Sequence, residues 1–67
     1  MNTFAKRLRE LRLDARLTVE QLAVKVKLSS GSISAWENNK TEPLASVIIT
    51  FARFFGVTAG YLLGIED

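Results

Sequence analysis

The stretch Thr18–Lys40 constrains the fold more than any other part of the chain, because it predicts two short helices joined by a tight turn. Apolar residues recur at helical spacing in both halves of the stretch: Leu22, Ala23, Val26, Ile33 and Trp36. Spacing of this kind gives each helix one apolar face. The short connection between the two halves predicts a compact two-helix corner, which the rest of the chain is expected to support.

Both helices of the corner have start signals in the sequence. Thr18 followed three residues later by Gln21 fits a capping box, in which each side chain binds the backbone of the other residue. Ser29 is the expected N-cap of the next helix, which we predict to run from Ser30 to Asn38. Leu28, in the turn between the two helices, is expected to point inward and fix the angle between them.

Three further helices are predicted outside the corner. Apolar periodicity and cap residues predict a first helix over residues 3–15, a fourth over 45–55 and a fifth over 59–63. Thr3 and Thr58 are the expected N-caps of the first and the fifth. The apolar face of the first helix comprises Phe4, Leu8, Leu11 and Ala15. We found no strand-like alternation, repeat or linker, so we expect one all-α domain over residues 1–67.

The absence of cysteine and histidine excludes several classes of site. Disulfide bonds are excluded, and so are zinc sites built from thiolate or imidazole ligands. The usual catalytic bases and nucleophiles are missing as well, and the four serines within residues 29–34 have no base to activate them. A glycine-rich phosphate loop is also absent from the sequence. We therefore expect no enzyme activity, no metal and no cofactor.

Charge and hydropathy favour a cytoplasmic domain. No apolar run approaches the roughly 20 residues that span a bilayer, and the N-terminus lacks the apolar region of a signal peptide. The net charge is only +2, but eight of the basic residues lie in the first quarter of the chain or in and beside the corner: Lys6, Arg7, Arg9, Arg12, Arg16, Lys25, Lys27 and Lys40. A mildly basic surface suits phosphate contacts, although a solvated helix face would explain the first cluster about equally well.

A series of residues along nearly the whole chain matches one known family in order and spacing. The matching positions are Arg7–Arg12, Leu17–Thr18, Gln21–Ala23, Ile33–Ser34, Trp36–Asn38, Lys40, Pro43, Ala52, Gly56–Val57 and Tyr61–Gly64. The series resembles the DNA-binding domain of the lambda-type phage repressor and Cro family, also called the xenobiotic response element family. The resemblance implies a compact five-helix bundle with a helix-turn-helix, in which Ser30–Asn38 is the recognition helix in the DNA major groove.

The resemblance also implies roles for individual residues. It predicts an ion pair between Arg12 and Glu37 that links the first helix to the third. The residues expected to contact base edges are Ser30, Gly31, Ser34 and Ala35. The residues expected to contact DNA phosphates are Thr18, Val19, Ser32, Asn38, Asn39 and Lys40.

The chain departs from the family pattern in its DNA-reading residues and at its helix ends. Many members have a glutamine that holds a phosphate where this chain has Val19. The base-reading face lacks the long side chains that make bidentate base contacts, so we expect DNA shape or water to supply part of the readout. The family often has glycine, with positive φ, at the positions of Arg16, Lys27 and Asn39, so either Arg16 and Lys27 are mildly strained in this chain or its turns differ.

The sequence is compatible with two functions. The first is a sequence-specific repressor from a phage or bacterium, which binds inverted-repeat half-sites of double-stranded DNA as a homodimer; the chain could then be the N-terminal domain of a longer repressor. The second is an antirepressor-like module of the same fold that binds a partner regulator. The family pattern assigns to the core of the fourth helix Ala45, Ile48, Ile49, Phe51, Ala52 and Phe55. Left over as a possible dimer or partner surface are Val47, Phe54 and Tyr61. Clustered exposed apolar residues usually mark an interface, but packing of Phe54 and Tyr61 at the margin of a thin core is about as probable.

Overall fold

Helices and short turns account for the whole of the computed structural model, which describes residues 2–66. The helices are α1 (Asn2–Asp14), α2 (Val19–Val26), α3 (Ser30–Glu37), α4 (Ala45–Phe55) and α5 (Ala59–Leu63). Residues 2–66 contain no strand, and the predicted all-α fold with five helices is confirmed. Met1 and Asp67, which the predicted domain includes, lie outside the described residues.

The helices of the corner begin where their cap residues predict. In α2 the backbone N–H of Gln21 donates to Thr18 Oγ1 at 3.1 Å, and the backbone N–H of Thr18 donates to Gln21 Oε1 at 2.9 Å. Ser29 caps α3 and Thr58 caps α5 through one bond each, because the side-chain oxygen accepts from the backbone N–H of Ser32 and of Tyr61, respectively. The prediction for Thr3 is wrong, because α1 already begins one residue earlier and Thr3 lies within its first turn.

The ring of Phe51 lies at the centre of the hydrophobic core. Its centroid is 6.3 Å from that of Phe4, 5.9 Å from that of Trp36 and 6.5 Å from that of Phe55, so one α4 side chain joins α1, α3 and α4. The other buried members of this core are Leu8, Leu22, Ala23, Ile33, Ile48, Ala52 and Leu62. The core thus lies beneath the α2–α3 corner and fixes both of its helices.

Three residues that were predicted to face the core are exposed. Ala15 is exposed because α1 ends at Asp14, so this residue lies in the following turn. Ala45 and Ile49 are exposed on α4, the latter at 46%. These two residues lie one turn apart on the same side of α4, and the helix instead packs through a neighbouring stripe that contains Ile48.

The helices pack in an order in which α3 contacts both α1 and α2. α1 contacts α3 and α5, α2 contacts α3 and α4, and α4 contacts α5. Every helix contributes to a body of 28 × 24 × 19 Å. None of the helices in the described residues has the length and apolar content needed to cross a bilayer.

Candidate nucleic-acid interface

The turn between α2 and α3 forms the corner that the sequence predicts. Lys27 ends α2 in the left-handed conformation (φ 60°, ψ 42°), and its backbone N–H donates to Ala23 O. The backbone N–H of Leu28 donates to the same oxygen at 3.1 Å. The Leu28 side chain packs half-buried against the core, so the turn is fixed both by the backbone and by an apolar contact.

Positive φ angles occur at the three non-glycine positions where the family pattern predicts them. Arg16 has φ 59°, Lys27 φ 60° and Asn39 φ 57°, and all three side chains are exposed. Asparagine tolerates this conformation better than most residues, whereas arginine and lysine do so at a cost in free energy. The turns therefore keep the backbone that glycine would favour and carry two cations in its place.

A nearly buried ion pair attaches α3 to α1. Arg12 Nε donates to Glu37 Oε2 at 2.7 Å, and Arg12 Nη2 donates to Glu37 Oε1 at 3.0 Å. Arg12 Nη1 donates to Leu17 O at 2.8 Å, so the same guanidinium also holds the turn before α2. The two side chains are only 10% and 5% exposed.

The electrostatics of this pair favour the charged guanidinium. The hydrogen bond to Glu37 raises the pKa of Arg12 above its ordinary value and outweighs the opposing effect of burial. Because the pKa is raised, the contribution of this charge to stability is fully present at any pH below the ordinary arginine pKa. The charged guanidinium is therefore present throughout this pH range to hold the end of α3 against α1.

The outer face of α3 is covered only by small residues. Gly31 and Ser34 are exposed and Ser30 and Ala35 are half-buried, and their spacing along α3 puts all four on one face. The opposite side of α3 is anchored by Ile33, which is fully buried. The backbone of α3 can consequently approach another surface closely along the outer face.

The N-terminus of α2, a helix that packs against α3, offers free backbone donors. Thr18 is exposed, but the Val19 side chain packs half-buried against the core and is turned away from solvent. The backbone N–H groups of Val19 and Glu20 have no acceptor within residues 2–66, as is usual in the first turn of a helix. At Val19, therefore, the backbone rather than the side chain is available to an anion.

The remaining residues of the predicted phosphate set differ in what they present. Ser32 is half-buried, and both its N–H and its hydroxyl are bonded to Ser29 Oγ, at 3.0 and 2.9 Å. Asn38 is the C-cap of α3, one residue beyond the end of the helix, and its side chain bonds back to Ser34. Asn39 and Lys40 are exposed in the following loop, and the Lys40 ammonium forms no ion pair in the described part of the chain.

Gln21 presents a hydrogen-bond donor that was not predicted from the sequence. The Oε1 atom of this exposed residue accepts from the backbone N–H of Thr18, so the amide Nε2 is left without an acceptor in residues 2–66. The only role predicted for the Gln21 side chain was in the capping box with Thr18. The signal that could have revealed the donor is chemical, because a glutamine whose oxygen caps a helix keeps two N–H groups free.

The three residues of the predicted partner surface have separate surroundings. Val47 packs half-buried against the core and so belongs to the core margin. Phe54 remains 40% exposed, with its ring edge-on to Phe55 at 4.9 Å. Tyr61 is half-buried beside α1, and the Arg7 guanidinium lies 4.2 Å from the centre of its ring.

Comparison with known proteins finds relatives that are named as regulators of transcription. The chain is 34% identical over 64 residues to the uncharacterized HTH-type transcriptional regulator YobD of Bacillus subtilis (strain 168), which covers 96% of this chain and 57% of the relative. It is 38% identical over 64 residues to the HTH-type transcriptional activator BcrR of Enterococcus faecalis, which covers 96% of this chain and 31% of the relative. The chain thus spans about half of the first relative and a third of the second.

A family model described as a helix-turn-helix domain matches residues 5–66. The match includes the capped α2, the turn at Lys27 and the small-faced α3 described above. On this match, the chain belongs to the family of helix-turn-helix domains.

Proposed function

We propose that this chain is the DNA-binding domain of a transcription regulator and that α3 reads the DNA major groove. The observation that carries the proposal is the small outer face of α3 held rigidly by the Arg12–Glu37 pair. A recognition helix must enter a groove about 12 Å wide, and small side chains allow its backbone to come close to the base edges. On this proposal the residues that contact base edges are Ser30, Gly31, Ser34 and Ala35.

The phosphate contacts that we propose come from both sides of the recognition helix. At the start of α2, the donors are the backbone N–H groups of Val19 and Glu20, the Thr18 hydroxyl and the Gln21 amide. At the first turn of α3 the donor is Ser32, and beyond the end of α3 the donors are Asn39 and Lys40. Helix N-termini attract anions through their free N–H groups and the helix dipole, which supports this use of α2.

The proposal is tested by titrating labelled DNA with the protein at several salt concentrations. Duplexes selected from a randomised library at low salt would serve as the probe. Each phosphate that the protein neutralises should lower the logarithm of the association constant by about 0.9 per tenfold increase in salt. Absence of binding at low salt, or binding that does not respond to salt, would contradict the proposal.

Gln21→Glu separates the role of this residue in the fold from its role on DNA. Glutamate at this position keeps the capping box and favours the N-terminal helix dipole, so the melting temperature should be unchanged or slightly higher. DNA binding should weaken several-fold, because a carboxylate replaces a phosphate donor and repels the backbone.

The matched control is Lys6→Gln, which changes the net charge by the same amount. Lys6 is exposed and lies near Tyr61, on the α5 side of α1. Gln21→Glu should reduce affinity more than Lys6→Gln does. Equal losses of DNA affinity in the two variants would show that the effect of Gln21→Glu comes from the change in net charge alone.

We further propose that two copies act together as a cytoplasmic repressor that covers an inverted repeat. Half-sites read by a helix-turn-helix dimer lie about 34–36 Å apart along the DNA axis. The exposed side chain of Phe54 is the proposed contact between copies. Light scattering of the protein and of Phe54→Ser on operator DNA tests this, and an identical stoichiometry for both would remove Phe54 from the contact. A reporter gene behind the selected operator tests the sign of regulation.

A protein-interaction module is the second candidate function, and exposed apolar residues of α4 and its N-cap favour it. Leu44 is 74% exposed, Ile49 46% and Phe54 40%, so three large apolar side chains of α4 and its N-cap face solvent. This function predicts a partner regulator that binds in the absence of DNA. If Ile49→Ser and Phe54→Ser abolish regulation while DNA affinity is retained, this second function is favoured.

A further inference from the structure

The side chain of Asn38 folds back along α3 and contacts Ser34, one turn earlier. Its Nδ2 atom lies 2.8 Å from Ser34 O and 3.3 Å from Ser34 Oγ. A backbone carbonyl oxygen can only accept a hydrogen bond. The group that faces it must therefore be the amide nitrogen of Asn38 and not the amide oxygen.

This contact determines the direction of the hydrogen bond at the Ser34 hydroxyl. An amide nitrogen can donate but not accept, so Ser34 Oγ can only accept from Asn38. The hydrogen of the Ser34 hydroxyl is then free to point elsewhere, and no group within residues 2–66 accepts it. Since Ser34 is exposed on the outer face of α3, it presents a donor to whatever approaches that face.

We propose that Asn38 sets Ser34 as a hydrogen-bond donor, so that α3 selects a base with an acceptor at the position facing Ser34. This inference rests on the proposed function and names the specificity of one of its contacts. In the major groove, guanine offers the acceptors N7 and O6 and thymine offers O4, whereas cytosine offers only the donor group N4. A serine hydroxyl by itself can pair with either kind of edge. The bond from Asn38 occupies one of its two lone pairs and leaves its hydrogen free, so Asn38 shifts the preference toward a base with an acceptor.

The same geometry gives Asn38 a role other than a phosphate contact. Both hydrogen bonds donated by Asn38 Nδ2 are directed to Ser34, which leaves the Oδ1 atom as the exposed polar end of the side chain. Phosphate oxygens are acceptors and cannot bind a second acceptor. Asn38 is therefore a positioning residue that acts on the DNA through Ser34.

The test compares the base preferences of variants on duplexes selected by the wild-type protein. The position read by Ser34 is the one whose preference is lost in Ser34→Ala. At that position the wild-type protein should favour guanine or thymine over cytosine by roughly three- to tenfold, the value of one hydrogen bond. In Asn38→Asp the carboxylate can only accept, so the Ser34 hydroxyl turns toward it and presents its lone pairs to the DNA. The preference should then disappear or reverse in favour of cytosine.

Asn39→Asp is the matched control, because it adds the same charge one residue further along. This variant should bind all duplexes more weakly and keep the wild-type ratio between bases. A helical circular dichroism spectrum verifies the fold of each variant.

Three results would overturn the inference. The first is that Ser34→Ala changes the base preference at no position of the duplex. The second is that Asn38→Asp keeps the wild-type ratio of affinities between bases. The third is that Asn39→Asp shifts this ratio as much as Asn38→Asp does. If the wild-type protein selects no DNA at low salt, the proposed function fails, and this inference fails with it. That outcome is distinct from selection of DNA without a preference set by Ser34.

Discussion

Arg12 and Glu37 form the buried ion pair of the described chain, and each nitrogen of the Arg12 guanidinium has a hydrogen-bond partner. Three of its nitrogen atoms donate to Glu37 and to Leu17 O, and no buried side-chain nitrogen or oxygen within residues 2–66 lacks a partner. A buried pair of this kind contributes little net stability compared with apolar residues, but it is costly to break. Its effect is therefore to define one position of α3 relative to α1.

Arg12→Ala should destabilise the domain by about 3–5 kcal/mol, because it leaves the Glu37 carboxylate buried without its partner. Domains of this size have a total stability of roughly 3–10 kcal/mol, so a large unfolded fraction is expected. Urea denaturation followed by circular dichroism measures the loss. Arg12→Met combined with Glu37→Leu should recover much of it, since apolar residues need no partner. A melting temperature of Arg12→Ala close to that of the wild-type protein would contradict this account.

The backbone of Lys27 stores a smaller amount of strain. A non-glycine residue in the left-handed conformation costs about 1–2 kcal/mol, and glycine recovers part of this after its larger loss of entropy on folding. Lys27→Gly should therefore stabilise the domain by about 0.5–1 kcal/mol, which raises the melting temperature by roughly 2–8 °C.

Lys25→Gly is the control for this prediction. Lys25 is exposed within the last turn of α2, so the same replacement there should lower stability by about 1 kcal/mol. The two variants lose the same charge and should change stability with opposite signs. A loss of stability in both would mean that Lys27 makes a stabilising contact that outweighs the strain.

At the scale of the helices, starts and ends were predictable wherever one side chain and its nearest backbone decide them. The capping box of Thr18 and Gln21 involves residues three apart, and the left-handed end at Gly56 involves a single residue. The inward side of α4 was not predictable in this way. Apolar residues occupy two overlapping stripes of that helix, and only contact with the other helices decides that Ile48 is buried while Ile49 is exposed.

The candidate site shows the same division between local and tertiary causes. Helical spacing was sufficient to put Ser30, Gly31, Ser34 and Ala35 on one face, because it follows from the period of the helix alone. The inward packing of the Val19 side chain depends on the neighbouring core, which the sequence does not reveal. The bond from Asn38 to Ser34 depends on a side-chain rotamer and could not be read from residue types.

At the scale of the whole molecule, the two ends of the described chain are joined on the side formed by α1 and α5. Arg7 donates to Tyr61 O and, at 2.8 Å, to Glu66 O, while its guanidinium covers the Tyr61 ring. Gly64 approaches α1 so closely that a Cβ atom there would lie 2.6 Å from Thr3 Cγ2. These contacts hold α5 against α1, and α1 in turn carries the partner of Glu37.

Arg7→Ala tests whether this junction contributes to the stability of the whole domain, and Arg9→Ala is its control. Arg7 is half-buried, whereas Arg9 is exposed on the same helix and its side chain makes no hydrogen bond or ion pair within residues 2–66. Loss of the contacts of Arg7 should cost about 1 kcal/mol, or roughly 4–8 °C in melting temperature for a domain of this size. Arg9→Ala should melt within about 0.5 kcal/mol of the wild-type protein, as surface substitutions usually do. Equal melting temperatures for the two variants would show that the contacts of Arg7 add nothing to the apolar packing that holds α5. A loss of stability in Arg7→Ala but not in Arg9→Ala would instead show that one arginine side chain joins the two ends of the described chain. This junction lies on the side of α1 away from the ion pair of α1 with α3.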